Sequence, residues 1–138
     1  TTAFQGAFGH QVYNNTANAV FGIGNLGSRN LLADVLTQTD PLENSSNVPS
    51  ASTRYLENAD FLRWTYATLS YNIGSLGDNL NNVSVYVTGQ NLLIFTNYTG
   101  FDPEVNTNKQ VEDVASFGIE YTPFPTARTF LLGVNFGL

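Results

Sequence analysis

The sequence predicts an all-β protein whose antiparallel strands span a membrane as one part of a larger β-barrel. Three observations support this prediction. Apolar and polar residues alternate in four segments, three of these segments contain stretches without any charge, and the connections between segments are long, short and long in turn. The expected strands cover about residues 2–9, 61–73, 83–95 and 127–138.

The last segment shows the alternation most clearly. Across 129–138 its even positions are all apolar, whereas its odd positions include Gly133 and Asn135. Successive side chains of a strand point to opposite faces, so this pattern predicts one apolar and one polar face. The third segment repeats the pattern, because Val83, Val85 and Val87 occupy alternate positions.

The first two segments show the same alternation with different strength. In the second segment Leu69 and Ile73 share one face, and Ser70 lies on the other. The first segment is shorter and its alternation is weaker, with Phe4 on one face and Gln5 on the other. Both are therefore predicted to be strands of the same sheet.

Charged residues lie near the ends of these segments. Asp60 and Arg63 stand at the start of the second segment, and Arg128 stands at the start of the fourth. A basic residue on the lipid face of a barrel costs about 2–4 kcal/mol at the bilayer midplane and little near the interfaces. This placement favours strands in lipid over the alternative, a soluble carbohydrate-binding β-sandwich, whose water-facing strands would carry charges.

The connections orient the strands. A short turn rich in Gly and Asn covers about residues 74–82, whereas the connections over about 10–60 and 96–126 are long. Outer-membrane barrels have short periplasmic turns and long extracellular loops, so the long connections are expected outside the cell. A short helix is expected in the first loop, where Ser28 precedes apolar residues at helical spacing across 31–36.

The composition excludes several classes of function. The chain has no Cys and one His, which excludes disulfides, thiolate chemistry and a metal site built from several imidazoles. Its net charge of −6 argues against nucleic acid as a partner. No nucleophile or acid–base constellation indicates an enzyme, and no cofactor is expected.

Four strands do not close a barrel, because the smallest barrels have about eight strands. In hydrocarbon, an open sheet edge leaves backbone groups without hydrogen-bond partners. The remaining barrel strands are therefore expected as partners of this chain.

Several blocks of the sequence carry a family resemblance. They are Phe4–Gly9, Val12–Asn14, Arg54–Arg63, Ala67–Asn72, Val85–Leu92, Tyr98–Asn106, Pro125–Phe130 and Gly133–Asn135. In order and spacing, these blocks resemble the C-terminal part of SusC-like TonB-dependent outer-membrane transporters.

This resemblance implies a barrel of about 22 strands with an N-terminal plug inside, of which the chain would supply the last four. It also implies active import of oligosaccharides across the outer membrane of a Gram-negative bacterium, with peptides as the alternative substrate. The implied partners are the plug, a SusD-like lipoprotein over the extracellular mouth, outer-membrane lipid and the TonB complex. Contact with TonB would lie in the N-terminal part of the transporter.

The candidate site residues form two groups. Substrate contact is expected from aromatic and acidic loop residues, which are Tyr55, Tyr98, Phe101, Asp102 and Glu104. Aromatic residues are expected at the membrane interface, and they are Trp64, Tyr66, Phe130 and Phe136. Asp102 and Glu104 also have the oxygen ligands that a hard cation uses, but a turn at Asp102-Pro103 explains them without a metal.

Overall fold

The computed structural model describes residues 1–21, 27, 30, 33, 53–105 and 116–137. In chain order the elements are β1 (Thr2–Ala7), β2 (Gln11–Asn14), α1 (Asn15–Phe21), a 3₁₀-helix (Thr53–Tyr55), β3 (Leu56–Asn58), β4 (Phe61–Leu76), β5 (Leu80–Thr96), β6 (Ile119–Glu120) and β7 (Thr129–Gly137). They form two compact units. The first unit comprises Thr1–Phe8, Phe61–Thr96 and Thr126–Leu138, and the second comprises Gly9–Asp60 and Asn97–Pro125.

The first unit is an antiparallel sheet with the strand order β1-β4-β5-β7. Strands β4 and β5 are longer than expected, because Leu76 pairs with Leu80 and only Gly77–Asn79 remain as a turn. Gly74 and Asn82 have φ angles of 93° and 53° beside this turn. The expected turn over 74–82 is therefore mostly strand, since left-handed residues let the pairing continue past local irregularities.

The register of this sheet separates a polar face from an apolar face. Residues directly opposite each other in an antiparallel pair share a face. The polar rows of β4, β5 and β7 contain Thr68, Ser70, Asn72, Ser84, Tyr86, Thr88 and Asn135. The apolar rows contain Ala67, Leu69, Tyr71, Val85, Val87, Gly89, Phe130, Leu132 and Val134. The sheet thus has the two faces that the alternation predicts.

A β-bulge changes the alternation near Thr65. In β1 the successive residues Ala3 and Phe4 pair with Tyr66 and Trp64, so these two residues of β4 belong to opposite faces. The Trp64 indole Nε1 donates a hydrogen bond of 2.6 Å to the Thr2 hydroxyl, which lies on the apolar face. The bulge consequently places Trp64 on the apolar face and Tyr66 on the polar face.

The bulge also determines where Arg63 lies. Arg63 pairs with Gln5 and with Ile94, which lie on the polar face, and its side chain is buried. Without the extra residue, Arg63 would lie on the apolar face with Leu69, because alternate residues of a regular strand share a face. On the β5 side the irregularity includes Asn91, whose φ is 52° and whose Nδ2 donates to the Ala127 carbonyl at 3.1 Å.

The second unit contains a smaller sheet with the order β3-β2-β6, in which β2 is antiparallel to β3 and parallel to β6. Val12, Ala59 and Tyr98 form one buried cluster. Phe21 and Tyr55 form another. The connections expected to be loops therefore contain their own sheet and core.

Helix α1 lies in the first long connection, where sequence analysis did not anticipate it. The helix expected after Ser28 falls on residues outside the described ranges. None of the helices in the described part of the chain has the length and hydropathy needed to cross a bilayer.

Candidate functional site

The second unit contains a cavity of about 450 Å³. Its lining residues are Asn14, Thr16, Ala17, Val20, Thr99, Gly100 and Phe101. They come from the end of β2, from α1 and from the segment after β5, and none of them carries a formal charge. We refer to this cavity as the loop pocket.

The helical wall of the loop pocket is positioned by a helix cap. Asn14 is buried at the end of β2, and its Oδ1 accepts a hydrogen bond of 2.9 Å from the Ala17 amide. A side-chain acceptor at this position satisfies an amide that has no partner inside the helix. The cap therefore sets where α1 begins and how Ala17 and Val20 stand against the cavity.

The opposite wall consists of Thr99, Gly100 and Phe101. Gly100 packs under the Tyr98 ring, since a Cβ at Gly100 would lie 2.5 Å from both the Cε1 and the hydroxyl oxygen of Tyr98. The side chain of Phe101 is 54 % exposed. Glycine thus allows the chain to pass closely below the buried tyrosine, and the next residue presents an accessible aromatic ring to the pocket.

Glu57 in β3 links the two walls without lining the cavity. Its Oε1 accepts a hydrogen bond of 2.9 Å from Asn14 Nδ2, and its Oε2 accepts a hydrogen bond of 2.9 Å from the Thr99 amide. The Thr99 hydroxyl also lies 2.8 Å from Glu57 Oε1 and accepts from Asn14 Nδ2 at 3.2 Å. Both walls are therefore hydrogen-bonded to one network.

Acidic groups lie behind the pocket. Glu120 in β6 is fully buried, and its Oε2 accepts from the amide and the hydroxyl of Thr16. The pKa of Tyr98 is raised above its ordinary value, chiefly by burial and further by the charges of Glu120, Glu57 and Asp102. The surroundings of Tyr98 thus disfavour added negative charge.

The structure separates the expected substrate-contact residues. Tyr55 and Tyr98 are each 6 % exposed and act as packing residues, which removes them from the surface available to a substrate. Tyr55 packs edge-on against Phe21 with ring centroids 6.0 Å apart. Of the expected residues, Phe101 alone is among those that line the loop pocket.

Asp102 and Glu104 form a local turn. The Glu104 amide donates a hydrogen bond of 3.0 Å to Asp102 Oδ1, and this is the bond of an Asx-turn. Neither residue lines the loop pocket. Their contact with a substrate stays a prediction.

The aromatic residues expected at the membrane interface divide between the two faces. Trp64, Phe130 and Phe136 belong to the apolar face, and Phe4 stacks on Trp64 with ring centroids 5.6 Å apart. Tyr66 lies on the polar face because of the bulge, and this corrects its expected place beside the lipid.

Sequence reasoning missed Asn14, Thr16, Thr99 and Glu57 as site residues. A cap signal was present, since Asn is a preferred N-cap residue and Asn14 stands three positions before Ala17. The link from Glu57 to Thr99 spans 42 positions of sequence, and no local pattern reports it.

No family model matches the chain. The chain is 31 % identical over 146 residues to TonB-dependent receptor P3 and 30 % over 148 residues to TonB-dependent receptor P26, both from Formosa agariphila. It is 29 % identical over 134 residues to TonB-dependent receptor SusC from Bacteroides thetaiotaomicron. These alignments cover 96, 96 and 94 % of this chain but 14, 14 and 10 % of the relatives.

Solved structures support the same fold. The RagAB peptide importer in its closed-closed state matches with a TM-score of 0.75 at 24 % identity. The open-open state matches with a TM-score of 0.75 at 26 % identity. Each match covers 96 % of this chain and 15 % of the solved chain.

The fold and these similarities define a transmembrane β-barrel segment, which confirms the predicted fold class. The chain belongs to the SusC-like TonB-dependent receptors and corresponds to a C-terminal portion of their barrel. TonB-dependent receptors are outer-membrane proteins. The chain spans only 14 % of the first two relatives it matches.

Proposed function

We propose that this chain forms part of an active importer of oligosaccharides in the outer membrane of a Gram-negative bacterium. In this proposal the importer works with a SusD-like lid lipoprotein and draws energy from the TonB complex through its N-terminal part. The oligosaccharide substrate and the lid are what the resemblance to SusC-like transporters implies, and the 29 % identity to TonB-dependent receptor SusC supports that resemblance. The loop pocket would contact the sugar outside the membrane.

The observation that carries the proposal is the chemistry of the loop pocket. It combines the accessible ring of Phe101 with amide and hydroxyl groups of Asn14, Thr16 and Thr99, and none of the lining residues that the structure describes carries a charge. A sugar ring has an apolar face that stacks on an aromatic ring and hydroxyls that pair with neutral polar groups. A cavity of about 450 Å³ lies within the usual size range of small-molecule sites.

The test uses the intact transporter with its lid in its native outer membrane. Uptake of labelled neutral oligosaccharides of several linkage types is measured for the unsubstituted protein, Phe101→Ala and Phe124→Ala. Phe124 is 91 % exposed and is not among the pocket lining, so it controls for the loss of an exposed aromatic ring. We expect Phe101→Ala to raise the KM of uptake about twofold to twelvefold, because an aromatic contact contributes about 0.5–1.5 kcal/mol.

Equal effects of the two substitutions would contradict the role of the pocket. Failure of every oligosaccharide to enter, with normal amounts of folded receptor, would contradict the oligosaccharide assignment. Copurification of the lid lipoprotein with the receptor tests the partner separately.

Peptides are the second candidate substrate. The similarity to the RagAB peptide importer favours them, and the carboxylates of half-buried Glu57 and buried Glu120 would suit a positively charged peptide. Uptake of a lysine-rich peptide, with no uptake of neutral oligosaccharides, would support this alternative. A peptide rich in glutamate is expected to be excluded, because the acids behind the pocket repel it.

A further inference from the structure

The two walls of the loop pocket share one hydrogen-bond network. Asn14 takes part in both walls, since its Oδ1 caps α1 and its Nδ2 donates to Glu57 and to Thr99. Glu57 in turn holds Thr99 through the backbone amide and the hydroxyl. A movement of either wall therefore breaks contacts to the same pair of side chains.

We infer that Glu57 is the positioning residue of the loop pocket, which fixes the distance between its helical wall and its Phe101 wall. This inference rests on the proposed function, because it assigns Glu57 to substrate affinity. Glu57 does not line the cavity, so its effect on a ligand acts through Asn14 and Thr99.

The network requires a carboxylate at Glu57. One oxygen accepts from Asn14 Nδ2 and the other accepts from the Thr99 amide, so both oxygens are acceptors at once. An amide in this place offers one acceptor and one NH₂ group, and the NH₂ would face the NH₂ of Asn14. Glu57→Gln therefore breaks the link to one wall while it keeps the size of the side chain.

This polarity can be reversed. Asn14→Asp alone puts two carboxylates against each other and removes the donor, although the new carboxylate still caps α1. When Asn14→Asp is combined with Glu57→Gln, the new glutamine amide donates to the new aspartate and its oxygen accepts from the Thr99 amide. The pair of substitutions thus restores every contact that each single substitution breaks, with donor and acceptor exchanged.

The experiment compares the two single variants and the double variant in the intact receptor with its lid. Hydrogen exchange is measured by mass spectrometry for peptides that cover 15–21 and 97–101. Each single substitution breaks the Asn14–Glu57 contact that joins the walls, so we expect exchange at the Thr99 amide to speed up about tenfold or more and the double variant to return near the original rate. The Ala17 amide keeps its cap in Asn14→Asp, so we expect a smaller change there.

A matched control changes another amide in the same unit. Asn58 Nδ2 donates to Asp60 Oδ2 at 3.3 Å, and neither residue lines the pocket. Asn58→Asp therefore disturbs an amide–carboxylate contact of the same type. It is expected to leave exchange at both pocket walls unchanged.

Uptake kinetics separate positioning from general structural damage. We expect each single variant to raise the KM of neutral oligosaccharide uptake about tenfold with an unchanged maximal rate, and the double variant to restore the KM. Single variants that alter exchange but leave the KM unchanged would overturn the inference, as would a double variant without rescue. If no oligosaccharide is imported at all, the proposed function fails, and the exchange rates alone then decide whether Glu57 links the walls.

Discussion

The contact between Tyr86 and Gly133 provides a quantitative test of the sheet register. These residues pair directly between β5 and β7 on the polar face. A Cβ on Gly133 would overlap the Cζ and hydroxyl oxygen of Tyr86 and lie 2.5 Å from its Cε1. The tyrosine ring therefore covers the glycine, and Gly133→Ala forces the ring away.

The magnitude follows from this geometry. The clashing atoms are at the far end of a side chain, so the ring can rotate and the backbone need not move. The cost then combines the lost cross-strand contact, about 0.2–1 kcal/mol, with strain from overpacking, about 1–3 kcal/mol. We expect Gly133→Ala to lower the free energy of unfolding by about 1–4 kcal/mol.

The assay is urea unfolding of the full-length receptor in detergent, with the folded fraction read from heat-modifiable gel mobility. Gly137→Ala is the control, because the nearest atom to its Cβ is the Asn81 carbonyl oxygen at 3.4 Å. In a Tyr86→Ala background the overlap is gone, and Gly133→Ala is expected to be neutral or stabilising by a few tenths of a kcal/mol. An equal loss of stability with and without the tyrosine would refute the reasoning.

Three further predictions test the lipid face, the bulge and the buried tyrosine. Leu132→Arg, on the apolar face, should lower the free energy of unfolding in the membrane by about 2–4 kcal/mol and reduce the amount of folded receptor in outer membranes. The control Asn135→Arg, on the polar face, should lower it little. Equal yields of the two variants would argue against lipid contact. Asn91→Ala should lower the free energy of unfolding by about 1–2 kcal/mol, because alanine is strained at a left-handed φ and the hydrogen bond to the Ala127 carbonyl is lost. Asn91→Gly should lower it less in the same urea assay, and the reverse order would contradict the bulge geometry. Because the pKa of Tyr98 is raised, its protonated form stabilises the fold below about pH 10 and this stability is lost as pH rises further. Tyr98→Phe should therefore flatten the alkaline loss of hydrogen-exchange protection in the second unit, and an unchanged pH profile would count against that burial.

The alternation in the sequence was sufficient to predict the sheet of the first unit. Val85 and Val87 in β5 and Leu132 in β7 lie on the apolar face, as the period of two indicates. This works because the direction of a side chain in a regular strand depends only on its position in the strand. The same rule fails at Thr65, where one extra residue places Trp64 and Tyr66 on opposite faces.

The loop unit was much less predictable. Tyr55 and Tyr98 look like exposed loop aromatics in the sequence, yet each is buried by residues distant along the chain. Phe101 was recognised because it is an aromatic residue in a predicted extracellular loop, whereas Glu57 was not recognised as part of a site. Its partners lie 43 and 42 positions away, and only the folded chain brings them together.

The sequence by itself therefore determined the strand content, the existence of an uncharged membrane-spanning sheet and the family resemblance, since these depend on local period and on blocks of adjacent residues. The tertiary structure decided the bulge, the burial of the loop tyrosines and the pocket between Asn14 and Phe101. These features depend on which distant segments pair, and pairing is set by the free energy of long-range contacts that no short window of sequence contains.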